Sequence, residues 1–167
     1  MGLLWLLHNH SNPIEPERII MTEGRFMVAV GAVIEHAPTG RILLLQRSHN
    51  ADYMPGLWEI PSGRMKQFEE LEDALAREIY EESGLHGIEI VKPLSVEHFF
   101  RGERVAEKEI VLIMYWVRVQ EDTVTISDES EAYRWASPEE AAGIVQFESI
   151  ETFIQMFIKE RDCANQG

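Results

Sequence analysis

The chain has 167 residues, of which 45% are hydrophobic and 26% are charged, a mixture typical of one globular domain and not of a disordered polypeptide. Its formal net charge of −14 argues against binding along a nucleic-acid backbone. The single cysteine, Cys163, excludes an intramolecular disulfide and favours a reducing compartment, so we expect a cytoplasmic protein. No apolar run approaches the roughly 18 residues of a membrane span.

The first half of the chain is predicted to alternate strands with turns. Residues 1–22 contain several residues that break regular structure, and we interpret them as an N-terminal extension. Strands are predicted over three segments rich in Val, Ile and Leu: 25–36, 41–47 and 57–60. A helix is predicted over 69–83 from four apolar residues at helical spacing: Leu71, Ala74, Leu75 and Ile79. Gly84 follows where a left-handed helix cap belongs.

The second half repeats this order with longer strands. Strands are predicted over 88–100, 109–119 and 132–136. Ser137 and Pro138 are suited to the start of a helix, as its cap and first residue. An apolar stripe then predicts an amphipathic C-terminal helix, with Ile150, Phe153, Ile154, Phe157 and Ile158. The order of strands, helix, strands and helix favours an α/β domain with helices packed on a mixed sheet.

Three glutamates near the end of the first helix form an acidic ridge. Glu78, Glu81 and Glu82 fall within about 100° of arc on an α-helix, where like charges destabilise the helix by a few tenths of a kcal/mol. The negative end of the helix dipole adds to this cost. Such a ridge is often only a solvated face, but it also fits a divalent cation, because oxygen ligands favour Mg²⁺ or Mn²⁺ over zinc.

The wider spacing around the ridge is more specific. It reads Gly63, five residues, Glu69, seven residues, Arg77-Glu78-Ile79, one residue, Glu81-Glu82, one residue, Gly84-Leu85. This resembles the signature of the Nudix hydrolases of the MutT-like kind at every defining position. The flanking segments Leu43–Arg47, Gly56–Pro61 and Tyr133–Glu140 are also similar to that family.

The resemblance implies a fold and a reaction. The fold is a Nudix-type α/β/α sandwich with a central mixed sheet, and the reaction is hydrolysis of a nucleoside diphosphate linked to another group. Glu78, Glu81, Glu82 and the main-chain carbonyl of Gly63 fall on the metal-binding positions, for Mg²⁺ or Mn²⁺. Glu78 or a downstream glutamate would be the general base. Arg77 and Glu69 match the pair that braces the loop against the helix.

Three residues of this loop depart from the common pattern. Ser62 replaces a frequent Gly, Lys66 stands where a carboxylate is common, and Phe68 replaces the Gly usually found before Glu69. None is a defining position, but all three lie in the loop that shapes the site. Lys66 is a candidate phosphate contact, with a solvated charge as the alternative.

Further substrate-binding candidates lie outside the signature. Arg47 ends a predicted buried strand and fits either a phosphate contact or a surface ion pair. Trp58, Tyr53 and Phe99 are candidates for stacking on a base, with core or rim packing as the alternative. Glu129 and Glu131, in an acidic loop, are candidates for an extra catalytic carboxylate or for simple solvation.

We therefore expect a Nudix hydrolase domain over 23–160 and a C-terminal tail over 161–167. The expected substrate is a nucleoside triphosphate, with ADP-ribose or a dinucleoside polyphosphate as alternatives. An isopentenyl-diphosphate isomerase is disfavoured because Cys163 lies near the chain end, and a non-catalytic binding module is disfavoured because the signature is intact. The expected partner is a small nucleotide, with no nucleic-acid polymer and no membrane. A homodimer is left open.

Overall fold

Residues 26–165 are described by the computed structural model, and in this part of the chain seven strands form one sheet. The strands are β1 (Met27–His36), β2 (Arg41–Arg47), β3 (Trp58–Glu59), β4 (Ser62–Arg64), β5 (Glu89–Phe100), β6 (Glu109–Val119) and β7 (Ser130–Ala136). The α-helices are α1 (Leu71–Ser83), α2 (Pro138–Ile144) and α3 (Glu148–Asn165), with one 3₁₀ turn over Ala106–Lys108. The extension predicted over 1–22 lies outside the described residues.

The sheet is mixed, with β1 at its centre. The strand order is β3-β2-β1-β6-β5, while β4 pairs with β1 and β7 pairs with β2. The long β1–β6 pair is parallel and the other pairs are antiparallel. This order brings two segments that are distant in sequence, β4 and β5, to the two sides of the β1–β6 pair.

Helices cover both faces of the sheet. Alternate residues of β1 point to opposite faces, as the two-residue repeat of a strand requires. Val30 and Ile34 contribute to the core that includes Leu75 and Ile79 of α1. The opposite face packs against α2 and α3, in a core that includes Val33, Trp116, Ala141, Phe153 and Phe157. The predicted α/β/α sandwich with a mixed sheet is therefore confirmed.

The element boundaries follow local backbone chemistry. Helix α1 begins at Leu71, two residues later than predicted, because Glu70 has an extended backbone. Gly84 ends that helix with a left-handed φ of 71°, as predicted. Ser137 caps α2 in a capping box with Glu140, so this helix start is also confirmed. Strand β4 was not predicted because its three residues carry no apolar pattern.

The C-terminal region differs most from the prediction. It contains two helices, α2 and α3, separated by a short break. Helix α3 continues to Asn165, so the tail predicted over 161–167 is helical as far as that residue. Cys163 is exposed on this helix. Among residues 26–165, no helix is long and apolar enough to cross a membrane.

Candidate active site

Strand β4 and helix α1 bring the acidic ridge against a glycine. Gly63 pairs with Val30 of β1, which fixes its backbone at the edge of α1. The Glu78 carboxylate occupies the space beside the Gly63 Cα, so that a Cβ at this position would overlap it. Any residue other than glycine would therefore displace the Glu78 side chain. This close approach explains why position 63 is a glycine.

Arg77 connects the loop before α1 to the ridge. Its Nε and Nη2 donate to the two Glu69 oxygens over 2.6 and 2.8 Å, and Nη2 also donates to the Arg64 carbonyl over 3.1 Å. Its Nη1 donates to Glu78 and Glu81 over 2.7 and 3.1 Å. The hydrogen bonds that Glu69 accepts from the Arg77 guanidinium and from the Lys66 N–H lower the pKa of Glu69 to about 2. The predicted pairing of Arg77 with Glu69 is present in the structure.

Glu82 lies deeper than the other two ridge glutamates. Its carboxylate accepts a hydrogen bond from the Ser62 N–H over 3.2 Å. Burial raises the pKa of Glu82 well above its usual range, and repulsion from Glu59 and Glu78 raises it further. The site therefore concentrates negative charge where the carboxylates are poorly solvated. A cation bound there would relieve both effects.

A cleft of about 1110 Å³ opens beside these residues. All four predicted metal ligands line it, together with Arg77 and Lys66. On the other side the lining comes from β5, β6, the loop after β2 and the start of α3, and it includes Phe99, Arg101, Leu112, Phe147 and Phe153. The acidic ridge thus forms one end of a cleft whose other side combines apolar and aromatic side chains with a few charged ones.

The donors at the ridge are hard oxygens, which suit Mg²⁺ or Mn²⁺. In the described part of the chain, no three His, Cys, Asp or Glu side chains converge on a common point. The reason is visible in their hydrogen bonds. Glu78 and Glu81 are directed to Arg77, while Glu82 is directed to the Ser62 N–H. The donor chemistry fits a divalent cation.

Arg47 lines the cleft and forms an ion pair. Its Nη1 donates to both Glu59 oxygens over 2.8 and 3.0 Å, and its Nε donates to the Tyr53 carbonyl over 2.8 Å. Burial raises the pKa of Glu59, and the charge of Arg47 opposes that shift. Of the two roles predicted for Arg47, a phosphate contact or an ion pair, the ion pair is present in the structure. The Arg47 side chain also lines the cleft.

The remaining predicted residues divide between the cleft and its surroundings. Lys66 and Glu129 line the cleft, and the Lys66 Nζ lies 3.5 Å from a Glu81 oxygen. Trp58 lies outside the lining and packs against the core beneath α2 and α3. Glu131 also lies outside it and pairs with His49, whose hydrogen bonds lower the Glu131 pKa. The structure thus brings Lys66 and Glu129 to the cleft and leaves Trp58 and Glu131 outside it.

Several cleft residues were not predicted. Glu59 is the partner of Arg47, and Glu97 lies on the floor contributed by β5. Arg101 donates to Asp52 over 2.9 Å and lies over the Tyr53 ring at 5.0 Å, joining the end of β5 to the loop after β2. A charged residue between two apolar neighbours, as at Glu59, is the sequence signal that could have indicated that position. Glu97 lies in a strand with several other charged residues, so no such signal marks it.

The departures in the loop have different structural effects. Ser62 contributes its backbone N–H to Glu82, so this position acts through its main chain. Phe68 adopts a left-handed φ of 67°, and its side chain is 98% exposed. Phe68 therefore adopts a backbone conformation that favours glycine, and its exposed ring makes no packing contacts that would offset the strain.

Comparisons with known proteins show which proteins this chain resembles. The family model described as NUDIX domain matches residues 25–155. The bis(5'-nucleosyl)-tetraphosphatase [asymmetrical] of Rattus norvegicus is 33% identical over 123 residues, covering 70% of this chain and 78% of its own. The CTP pyrophosphohydrolase of Escherichia coli (strain K12) is 31% identical over 117 residues, covering 70% and 80%.

Solved structures show the same likeness. The crystal structure of a MutT protein from Methanosarcina mazei Go1 superposes with a TM-score of 0.68 at 28% identity, covering 84% of this chain and 98% of that one. The crystal structure of a C. elegans Ap4A hydrolase binary complex superposes with a TM-score of 0.66 at 23% identity, covering 81% of this chain and 98% of that one. The second likeness concerns the fold alone.

Proposed function

This chain belongs to the Nudix family, and from that membership we propose that it hydrolyses a nucleoside triphosphate at a pyrophosphate linkage with Mg²⁺ as the cation. The enzyme class, a Nudix pyrophosphohydrolase, follows from the family model and the relatives. The substrate, the choice of Mg²⁺ and the residue roles are the proposal. The observation that supports it best is the Glu78 carboxylate held against Gly63 at the end of a cleft large enough for a nucleotide.

Each site residue then has a defined task. Glu78, Glu81, Glu82 and the Gly63 carbonyl would hold the divalent cation that Nudix hydrolases generally use. When bound, such an ion offsets the charge of pyrophosphate oxygens and lowers the pKa of a coordinated water. Arg77 donates to Glu78 and Glu81 and so positions two of these ligands. Glu69 keeps Arg77 in place throughout.

A carboxylate must also take the proton of the attacking water. Glu78 is one candidate, because it lies at the ridge itself. Glu129 is the other, because it lines the cleft and is exposed, whereas Glu131 is paired with His49 outside the lining. Glu129 therefore fits the downstream glutamate of the proposed mechanism better than Glu131 does.

A dinucleoside polyphosphate is the second candidate substrate. The observation in its favour is the 33% identity to the rat asymmetrical tetraphosphatase over 70% of this chain. Both reactions use the same ridge, so the choice depends on the rest of the cleft. The cytoplasmic location and the homodimer stay predictions.

The test is metal-dependent hydrolysis of a nucleotide panel, with the products separated and identified by chromatography; for the triphosphates, phosphate release with and without coupled pyrophosphatase shows which linkage is cut. The panel contains nucleoside triphosphates, diadenosine tetraphosphate and ADP-ribose. We expect Glu78→Gln and Glu82→Gln each to lower kcat by roughly 10²–10⁴-fold, as removal of a base or metal ligand does. Glu72→Gln, on the exposed first turn of the same helix, is the matched control. Unaltered turnover in both ridge variants would overturn the proposed roles.

A further inference from the structure

The floor of the cleft is a strip of sheet that runs from β4 to β5. Arg64 pairs with Ala29, Ala29 is in register with Leu112, and Leu112 pairs with Glu97. All four side chains line the cleft. Three strand spacings of about 4.8 Å separate β4 from β5, so the Glu97 backbone lies about 14 Å across the sheet from the segment that carries Gly63. A ribose and a base fit in that interval.

Glu97 shares with Glu82, Asp128 and Glu129 the lack of a cationic partner among the described residues that line the cleft, and it is the one of these four that lies on the sheet. It is half-buried, and Ser95 is its only hydrogen-bonding partner in the part of the chain that the structure describes, with the hydroxyl donating over 2.7 Å to one carboxylate oxygen. No Lys, Arg or His of residues 26–165 forms an ion pair with it, whereas Glu59, Glu69 and Glu81 all have cationic partners. The second oxygen of Glu97 is therefore left to accept from a ligand.

Apolar side chains are the neighbours of Glu97 along and across the sheet. Leu112 lies directly across from Glu97 on β6, and Phe99 follows on the same face of β5, opposite Ile110. All of them line the cleft, and Phe99 is 37% exposed. A planar ring lying on this floor would have apolar contacts on its faces and the carboxylate at its edge. Stacking of this kind accepts any base, because every base has a π-face, so selectivity must come from the edge.

We propose that Glu97 makes the enzyme prefer nucleotides whose base carries an exocyclic amino group. This inference rests on the proposed function, since it concerns the substrate of the same cleft. A carboxylate offers acceptors only, so it pairs with the amino group of cytosine, adenine or guanine. A carbonyl at the same place, as in uracil or hypoxanthine, would face the carboxylate with no proton between them. Both groups would lose their hydrogen bonds to water, which is costly in a half-buried site.

The test compares substrates that differ only in this group. The pairs are CTP against UTP and ATP against ITP, assayed for kcat/KM at saturating Mg²⁺. We expect the amino-bearing member of at least one pair to be favoured by about 10-fold to 100-fold, the range for a hydrogen bond to a charged group. Glu97→Gln keeps the shape but adds an amide donor, so that preference should fall to within about 3-fold or reverse. Glu97→Gln should change the ratio of kcat/KM between the two substrates of a pair more than it changes kcat for UTP or ITP.

Two further variants separate selectivity from folding. Glu89→Gln makes the same substitution at an exposed position of β5 outside the cleft lining, and it should retain the wild-type ratio. Glu97→Asp keeps the charge but retracts it by one methylene, and it should keep the sign of the preference at reduced size. Hydrolysis of the panel with no amino preference, or with a preference unchanged in Glu97→Gln, overturns the inference and leaves the proposed function standing. Failure to hydrolyse any nucleotide overturns both.

Discussion

Gly63 is the residue on which the position of the ridge depends most directly. The contact between its Cα and the Glu78 carboxylate requires a side chain of hydrogen. Its φ is not in the left-handed region, so glycine is needed here for space and not for backbone conformation. A sequence pattern gives the identity of this residue, and the structure supplies the physical reason for it.

We expect Gly63→Ala to fold and to lose activity. The added methyl overlaps the far end of a flexible side chain, so Glu78 can swing away from its position without unfolding the protein. We predict a fall in kcat of roughly 10²-fold or more, as for loss of a metal ligand or base. Gly143→Ala in α2 is the control, because no atom lies within 4 Å of its added methyl. Wild-type turnover in Gly63→Ala would contradict the role given to this contact.

Phe68 illustrates a residue whose conformation is strained. A left-handed φ costs a side-chain-bearing residue roughly 1–2 kcal/mol, and glycine avoids that cost. The Phe68 ring is almost fully exposed, so no packing offsets the strain.

We therefore predict that Phe68→Gly raises the free energy of unfolding by about 0.5–1 kcal/mol. The estimate is the relief of the left-handed strain, less the greater entropy that glycine gives the unfolded chain. Chemical denaturation measures it. Gln67→Gly, at an exposed neighbour without a positive φ, should instead lower the free energy of unfolding. Equal effects of the two substitutions would refute the strain argument.

At the scale of elements, the loop between β4 and α1 is attached to the helix through one guanidinium. Arg77 reaches Glu69 with two hydrogen bonds and the Arg64 carbonyl with another. The Lys66 N–H also donates to Glu69 over 2.8 Å. Glu69 thus connects the loop to the helix by accepting hydrogen bonds from the Lys66 N–H and from Arg77, and its negative charge strengthens these hydrogen bonds.

The stability from this connection should depend on pH in one direction. The pKa of Glu69 is lowered from 4.5 to about 2 in the folded protein. Its stabilising effect is therefore complete above the unfolded pKa and is lost as the pH falls toward the folded one. We predict that the free energy of unfolding of the wild type exceeds that of Glu69→Gln by a constant amount from pH 8 to about 5, and that the gap narrows from pH 5 toward 2.

Urea denaturation at several pH values measures this gap. Glu70→Gln is the control, because the Glu70 side chain makes no capping hydrogen bond and lies beside Glu69. It should track the wild type more closely than Glu69→Gln at pH 7. A Glu69→Gln gap that stays the same at pH 3 would show that the Glu69 charge does not contribute.

At the scale of the whole molecule, the two ends of the cleft differed in how far they could be predicted. The ridge end was predicted because the phase of a helix is decided within one or two turns, so the spacing of Glu78 and Glu82 already places them together. The other end depends on the pairing of β5 with β6, which brings Glu97 opposite Leu112. No local pattern encodes that register.

The aromatic candidates show the same limit. Tyr53 and Phe99 line the cleft, whereas Trp58 packs into the core, although all three fitted a stacking role in the sequence. The difference follows from the pairing of β3 with β2, which positions Trp58 opposite Gln46. Whether an aromatic side chain faces a substrate or a core is decided by tertiary packing, so composition alone could not distinguish them.

The net charge of −14 is not spread evenly over the molecule. Part of it is concentrated in one cleft, where burial and repulsion from Glu59 and Glu78 raise the pKa of Glu82. A protein retains such a cluster at a cost in stability, and binding of a divalent cation would offset that cost. The central claim is therefore that the ridge and Gly63 hold a hard cation against the pyrophosphate of a nucleotide.

The most direct test is a crystal structure with Mn²⁺ and a non-hydrolysable nucleoside triphosphate analogue, with the metal located by anomalous diffraction. We predict an anomalous peak about 2.1–2.3 Å from carboxylate oxygens of Glu78 and Glu82 and from the Gly63 carbonyl, typical of oxygen ligands on such ions, with a phosphate oxygen completing the ligands. A nucleotide bound with its metal elsewhere, and no peak at the ridge, would contradict the account.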